Sequence, residues 1–269
     1  MASIDTFTPT PLRISTTVVT ANWGTSIDRD ILFNHLVSQL IPIWYPDEGI
    51  LKIEHKSVIY GASYKELFTH RKASSKSFFN QSTIVLRIKI GDGWKEVNMK
   101  LFANGGIQMT GVPFGDYANR CIQLLLDKIK LLPVSPFQGP VVVNKIQVSL
   151  INTDFSINMN IHQDSLQKIL VEDYNIISTL EKTIYQGINM KYFYNKNNPD
   201  SGVCNCTTTC KGFGSGDGNG QCKRITISIF RTGKIIITGA MSMEQIQTAY
   251  RYICDILKTH SSSVLVHCV

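Results

Sequence analysis

Four of the seven cysteines crowd into one loop, spaced Cys204-x-Cys206-x3-Cys210-x11-Cys222. Thiolates are soft ligands, and four of them in one loop suit a tetrahedral zinc ion. An odd cysteine total in a chain without a secretion signal favours metal over disulfides; two disulfides or four free thiols are the alternatives. The intervening Gly-rich run, GFGSGDGNG, lacks the Gly-Lys-Ser/Thr ending of a phosphate loop and precedes no helix, so it reads as flexible turn. The six histidines are scattered. No zinc-protease helix, nucleophile elbow or paired-carboxylate motif accompanies them, which argues against an enzyme.

The other chemistry in the composition is charge. A net charge of +7 and a pI near 9.0 favour a polyanionic partner, nucleic acid before membrane. No apolar run approaches the length of a membrane span, and the N-terminus lacks a signal-peptide core.

The elements that must position these groups are organised around a stretch that occurs twice. Leu101 to Gly111 reads LFANGGIQMTG and Ile229 to Gly239 reads IFRTGKIIITG, offset by 128 residues without a gap. Phe102/Phe230, Gly105/Gly233, Ile107/Ile235, Thr110/Thr238 and Gly111/Gly239 coincide. Each copy alternates, turns at glycine and alternates again, the pattern of a β-hairpin. Each is followed by apolar residues at helical spacing: Ala118, Cys121, Ile122, Leu125 and Ile129, then Ile246, Ala249, Tyr250, Ile253 and Leu257.

In chain order, residues 1–11 read as a flexible tail. Leu12 to Asn22 is a β-branched strand, followed by a helix that Ser26 or Asp28 caps and that Pro42 stops. Residues 42–77 read as an insertion, within which ILKIEHKSVIYG is a strand pair or one long strand. Phe78 to Lys89 and Val97 to Phe102 are strands leading into the first hairpin. Three prolines and a glycine mark a linker at 133–140. The second half repeats the plan: a strand from Val141, a helix opened by His162 or Asp164, strands over 176–194, a Cys-rich insertion at about 195–222, the second hairpin, and a helix from about Ser242 to Lys258. Residues 259–269 read as a tail.

Each half is therefore β–α–β–β–β–β–α, a first repeat over 12–132 and a second over 141–258. The expected fold class is α+β, with antiparallel sheets that carry helices on one face and expose the other. Val18, Ile146, Val148, Phe102, Phe230, Ile236, Thr110 and Thr238 fall on the presumed free face, which is too apolar to leave bare to water unless it binds something.

These residues resemble the TATA-box-binding protein family, whose repeats carry I-F-x-x-G-K-x-x-x-T-G-A. Ile229 to Ala240 fits in full; Leu101 to Gly111 fits with Gly106 in place of Lys. FFNQSTI, VNMKLF, IQMTG and the Cys-rich insertion look most like the divergent members encoded by large nucleocytoplasmic DNA viruses. The resemblance implies two pseudo-symmetric repeats forming a curved saddle, with helices on the convex face and the concave sheet on the minor groove of A·T-rich DNA. It implies that Phe102 and Phe230 wedge into the base stack, with Tyr185 and Phe79 as their partners. It also implies that Thr110 and Thr238 touch the groove floor, with Thr16 and Ile146 standing where the family has base-contacting asparagines and Gln108 where it has a small apolar residue. Arg87, Lys191 and Lys234 match phosphate-contacting positions.

The implied function is transcription initiation on promoter DNA. The implied partners are double-stranded DNA, a TFIIB-like factor and RNA polymerase, with the chain monomeric on DNA. The implied location is a host nucleus or cytoplasmic virus factory, or the virion. A DNA-packaging protein and a protein- or RNA-binding accessory domain on the same fold are the alternatives.

Overall fold

The computed structural model describes residues 7–69, 79–113, 115–183 and 186–266. The chain divides into two compact units, residues 17–149 and residues 1–16 with 150–269. The divisions fall within the strands β1 (Arg13–Asn22) and β7 (Asn144–Ser156).

In the first unit the elements after β1 are α1 (Arg29–Leu36), β2 (Gly49–His55), β3 (Val58–Gly61), α2 (Tyr64–Thr69), β4 (Gln81–Ile90), β5 (Gly93–Phe102), β6 (Gly106–Thr110) and α3 (Tyr117–Lys130). The sheet order is β3-β2-β4-β5-β6-β1, with every pair antiparallel. Its core is one face of this sheet. Val19, Ala21, Leu86, Val97, Met99, Leu101, Ile107 and Met109 meet the stripe Ala118, Cys121, Ile122, Leu125 and Ile129 of α3. Asp28 settles the start of α1: its carboxylate accepts from Ile31 N at 2.9 Å, so it is the cap, not Ser26.

In the second unit β7 is followed by β8 (Asn160–Ile161), α4 (Gln163–Glu172), β9 (Ile177–Glu181), β10 (Gly187–Tyr194), β11 (Lys223–Phe230), β12 (Lys234–Ala240), α5 (Met243–Thr259), α6 (Ser261–Val264) and β13 (Leu265–Val266). The sheet order is β7-β12-β11-β10-β9. Ile225, Ile227, Ile229, Ile235 and Ile237 are fully buried, as are Ile246, Ala249, Ile253 and Leu257 of α5. His162 caps α4 by accepting from Ser165 N at 3.3 Å.

Three expectations about the ends and insertions change. β2 is not part of an insertion: it pairs with β4, and Ile50, Leu51 and Ile53 are buried. Both sides of the strand are covered, for the polar Lys52 and His55 are buried along with these apolar residues. Among the described residues, the first unit has two elements without a counterpart in the second: β3, turned back by Lys56 and Ser57 at positive φ, and α2. Residues 7–11 are not loose. Phe7 is buried, and Thr10 exchanges hydrogen bonds with Ser156, donating its N–H to Ser156 O and accepting at its hydroxyl. Nor is residue 259 the start of a frayed tail: α6 buries Val264, and β13 pairs with β8.

Candidate nucleic-acid interface and candidate metal centre

Strand register decides which side chains share the face away from the core. Residues opposite one another on neighbouring strands point the same way. In the first unit one row reads Val18, Thr110, Asn98 and Val85, and the next Thr20, Gln108, Lys100 and Thr83, followed by Phe102 opposite Gln81. The alternate residues are the core. In the second unit the corresponding rows are Thr238, Thr226, Lys191 and Ile177, then Asp154, Ile236, Ser228, Asn189 and Thr179, then Phe230 opposite Gly187.

Phe102 and Phe230 therefore occupy equivalent places, each the last residue of its strand and each half-buried. Each ring lies over a glycine. A Cβ on Gly106 would fall 3.5 Å from the Phe102 ring, and one on Gly187 would fall 3.3 Å from that of Phe230. The turn that follows is also shared: Gly105 N donates to Phe102 O at 2.9 Å, and Gly233 N to Phe230 O at 3.0 Å. Thr16, Thr110, Gln108, Thr238 and Ile236 are half-buried, and Val18 is buried. Phe79 is 71% exposed in the turn before β4. Tyr185 lies outside the described residues.

Ile146 is 39% exposed, whereas Val148, expected on the open face, is a correction. Both line a cavity of about 160 Å³ with Val19, Val112, Ala118 and Asn119, beside α3, and Val148 packs against the core. Alternation fails as a guide here, because Lys145 takes φ 53° and the burial of β7 does not alternate before Leu150.

Arg87 is a second correction. It is 2% exposed, and its guanidinium donates to the carbonyl oxygens of Ile43 (2.6 Å), Tyr45 and Asp47. The segment 43–47 folds over it, so it is not presented to a DNA phosphate.

Lys191 lies in the open-face row and donates to Thr226 Oγ1 at 3.0 Å; desolvation and neighbouring Arg224 lower its pKa, as expected where positive charge gathers. Lys234 pairs with Asp154, which also receives two hydrogen bonds from Arg13, at 3.2 and 2.8 Å. Sequence reasoning missed Asp154, Asn189, Ser228 and Lys100; only register brings them to this face. Ser228 Oγ donates to Asn189 Oδ1 at 2.8 Å.

The hydrogen bonds from Arg13, with Lys234 beside them, hold the Asp154 carboxyl below the usual carboxylate range. A depressed folded-state pKa contributes stability above the unfolded value that is lost as pH falls through the folded one. Asp154→Asn is expected to lower stability at pH 7 by on the order of 1–3 kcal/mol, with the gap to wild type closing below about pH 4. Thermal denaturation across this range checks it; a pH-independent gap refutes the linkage.

The cysteines of the long loop converge. The sulfur atoms of Cys204, Cys206, Cys210 and Cys222 all lie within 4.8 Å of one another, with Cys206–Cys222 at 3.4 Å and Cys204–Cys222 at 3.7 Å. A tetrahedron of thiolates at about 2.3 Å from a central zinc has edges of about 3.8 Å. Gly220 N donates to Cys206 Sγ at 3.0 Å and Asn195 Nδ2 to Cys222 Sγ at 3.5 Å, the outer contacts that orient metal thiolates. The Gly220 N–H brings the Cys206 thiol down to about 7, whereas burial pushes that of Cys222 up to about 12. These four residues can hold a metal ion. No disulfide joins the described cysteines; Cys121 and Cys254 are buried in the cores.

The family model for transcription factor TFIID, or TATA-binding protein, matches residues 220–260, which span β11, β12 and α5. A TATA-box-binding protein-like chain of Acanthamoeba polyphaga mimivirus is 25% identical over 268 residues, covering 95% of this chain and 67% of that one. Among solved structures, the Methanococcus jannaschii TATA-binding protein aligns with a TM-score of 0.47 and 16% identity, over 93% of this chain and 99% of that one. None of the described helices is long and apolar enough to cross a membrane.

Proposed function

We propose that the chain is a divergent member of the TATA-binding-protein family, similar to the mimiviral one, and that it binds the minor groove of A·T-rich promoter DNA, bends it and acts in transcription initiation. The observation that carries the reading is the equivalence of Phe102 and Phe230 at the ends of equivalent strands, half-buried on the faces away from the helices.

The minor groove of A·T pairs offers acceptors and a smooth floor, whereas guanine adds an amino group that obstructs a flat sheet. Val18, Thr110, Ile236 and Thr238 supply the flat contact. Aromatic wedges at Phe102 and Phe230 unstack a base step and bend the duplex, which brings more protein surface against it. Flexible pyrimidine–purine steps make that bend cheaper, so sequence is read partly as deformability. Lys191, and Lys234 once it exchanges Asp154 for phosphate, add sequence-independent attraction. A TFIIB-like factor and an RNA polymerase are the proposed protein partners, with the chain monomeric on DNA in a nucleus or virus factory. The four cysteines hold zinc in this reading, and the ion orders a loop that has little core of its own.

Selection of bound sequences from random duplexes tests the proposal. One enriched A·T-rich motif supports it. Flat, salt-sensitive binding instead favours a packaging protein, which the polar residues Gln108, Lys100 and Asn189 among the face rows also suit. No duplex binding removes both.

A further inference from the structure

A second cavity, of about 380 Å³, opens in the first unit and is lined by Tyr64, Lys65, Arg87, Trp94, Lys95 and Glu96. Trp94 stands near the start of β5 and Phe102 at its end, so the cavity lies roughly 25 Å along the strand from the proposed wedge. The site is built rather than incidental. Arg87 is clamped by the three carbonyl oxygens of the 43–47 segment, and its guanidinium carbon sits 4.8 Å from the centroid of the Trp94 ring. That contact fixes the indole while leaving the residue 44% exposed. Tyr64 is held by its own N–H, which donates to Glu96 at 2.6 Å, and by stacking on Phe68 at 5.8 Å and 11°. An ion pair from Lys52 to Glu66 ties α2 to β2 beneath it.

Two properties of the lining describe its ligand. Three cations face one carboxylate, and the walls are otherwise aromatic. Arg87 Nε is buried and has no hydrogen-bond partner among the described residues. A buried N–H without an acceptor is costly, and an oxygen entering the cavity would relieve it. The volume lies within the usual range for small-molecule sites, about 300–1,000 Å³.

We propose that this cavity binds a nucleotide. The base stacks against Trp94 and Tyr64 and offers a carbonyl oxygen toward Arg87 Nε, while Lys65 and Lys95 receive the phosphate. Flat aromatic faces accept any base, so the site discriminates by charge and planarity more than by sequence. The same chemistry is presented by a free mononucleotide and by an unpaired nucleotide in a strand.

The test uses the full chain and follows tryptophan fluorescence and calorimetric heat on titration with thymidine 5′-monophosphate, with short oligothymidylate, and with inorganic phosphate as control. Saturable quenching by at least one of the two nucleotide ligands, and not by phosphate, is expected. Trp94→Ala should weaken calorimetric affinity at least about fivefold. Trp94→Phe should abolish the quenching, keep most of the affinity and keep the wild-type melting temperature. Quenching by the mononucleotide as strong per site as by the oligomer assigns a free nucleotide; quenching by the oligomer alone assigns an unpaired strand. No saturable response to either, or quenching that survives Trp94→Phe and so arises from the 85%-exposed Trp44, overturns the proposal. Bending of a blunt duplex should be unchanged in Trp94→Ala, which separates this site from the proposed groove-binding face.

Discussion

Phe102→Ala and Phe230→Ala should each reduce DNA bending, and the double variant should nearly abolish it while remaining folded. Both rings lie on the face away from the helices, at the ends of β5 and β11, and neither belongs to the buried core. Their removal therefore leaves the α3 and α5 packing intact. Each ring stacked on a base step is worth about 1–3 kcal/mol of binding, so a single variant should bind a specific duplex roughly 5- to 150-fold more weakly. The phosphate contribution is separate, so weak and salt-sensitive binding to straight DNA should survive in the double variant. Energy transfer between fluorophores at the duplex ends reads the bend, and thermal denaturation reads the fold. If a variant unfolds and the wild-type protein leaves DNA straight, the rings are structural and the groove-binding proposal fails.

The second large effect concerns the cysteine loop. Protein purified under reducing conditions should contain about one zinc per chain, and Cys222→Ser should lose most of it. The convergence of four sulfurs within 4.8 Å motivates the expectation. Residues 195–222 contribute few buried apolar side chains, so their order depends on the ion, whose binding energy in small zinc domains reaches about 10–16 kcal/mol. Chelation should therefore open this loop to protease while β11, β12 and α5, whose isoleucines are fully buried, stay protected. Elemental analysis and mapped proteolysis provide the readout. Metal-free protein with the loop still protected would falsify the assignment.

The parts of this molecule that were legible in its sequence are those where a local rule acts alone. The two hairpins announced themselves because alternation flanks a glycine, and α3 and α5 because their apolar residues recur at helical spacing. The cysteines read as a cluster because four ligands in one loop have little else to do. The misreadings share a different cause. Arg87 looked like a surface cation until residues some forty positions earlier closed over it with three carbonyls. β2 is legible as a strand, but its place within the repeat comes from its pairing with β4, some thirty residues later, which no local pattern marks. Val148 was assigned to the open face, yet it packs against the core, because parity was carried across an irregular strand start at Lys145. Asp154, between two cations, gave no local sign at all. Each of these depends on contacts between residues far apart in the chain, which composition and period do not encode.

The two hairpin turns each hold a glycine for the same steric reason. Gly105 and Gly233 both take positive φ, 83° and 78°. A Cβ on Gly105 would come within 2.1 Å of Thr25 O, and one on Gly233 within 2.4 Å of Met159 O. Backbone oxygens cannot move aside as a side-chain tip can, so no other residue fits either position. Elsewhere the described elements of the two units differ: the first carries β3 and α2, the second the cysteine loop. At each turn the place of a side chain is taken by a neighbouring carbonyl, in both units separately. The likeness of these two turns is thus a matter of room: a methyl group at either glycine would have to occupy the place of an oxygen.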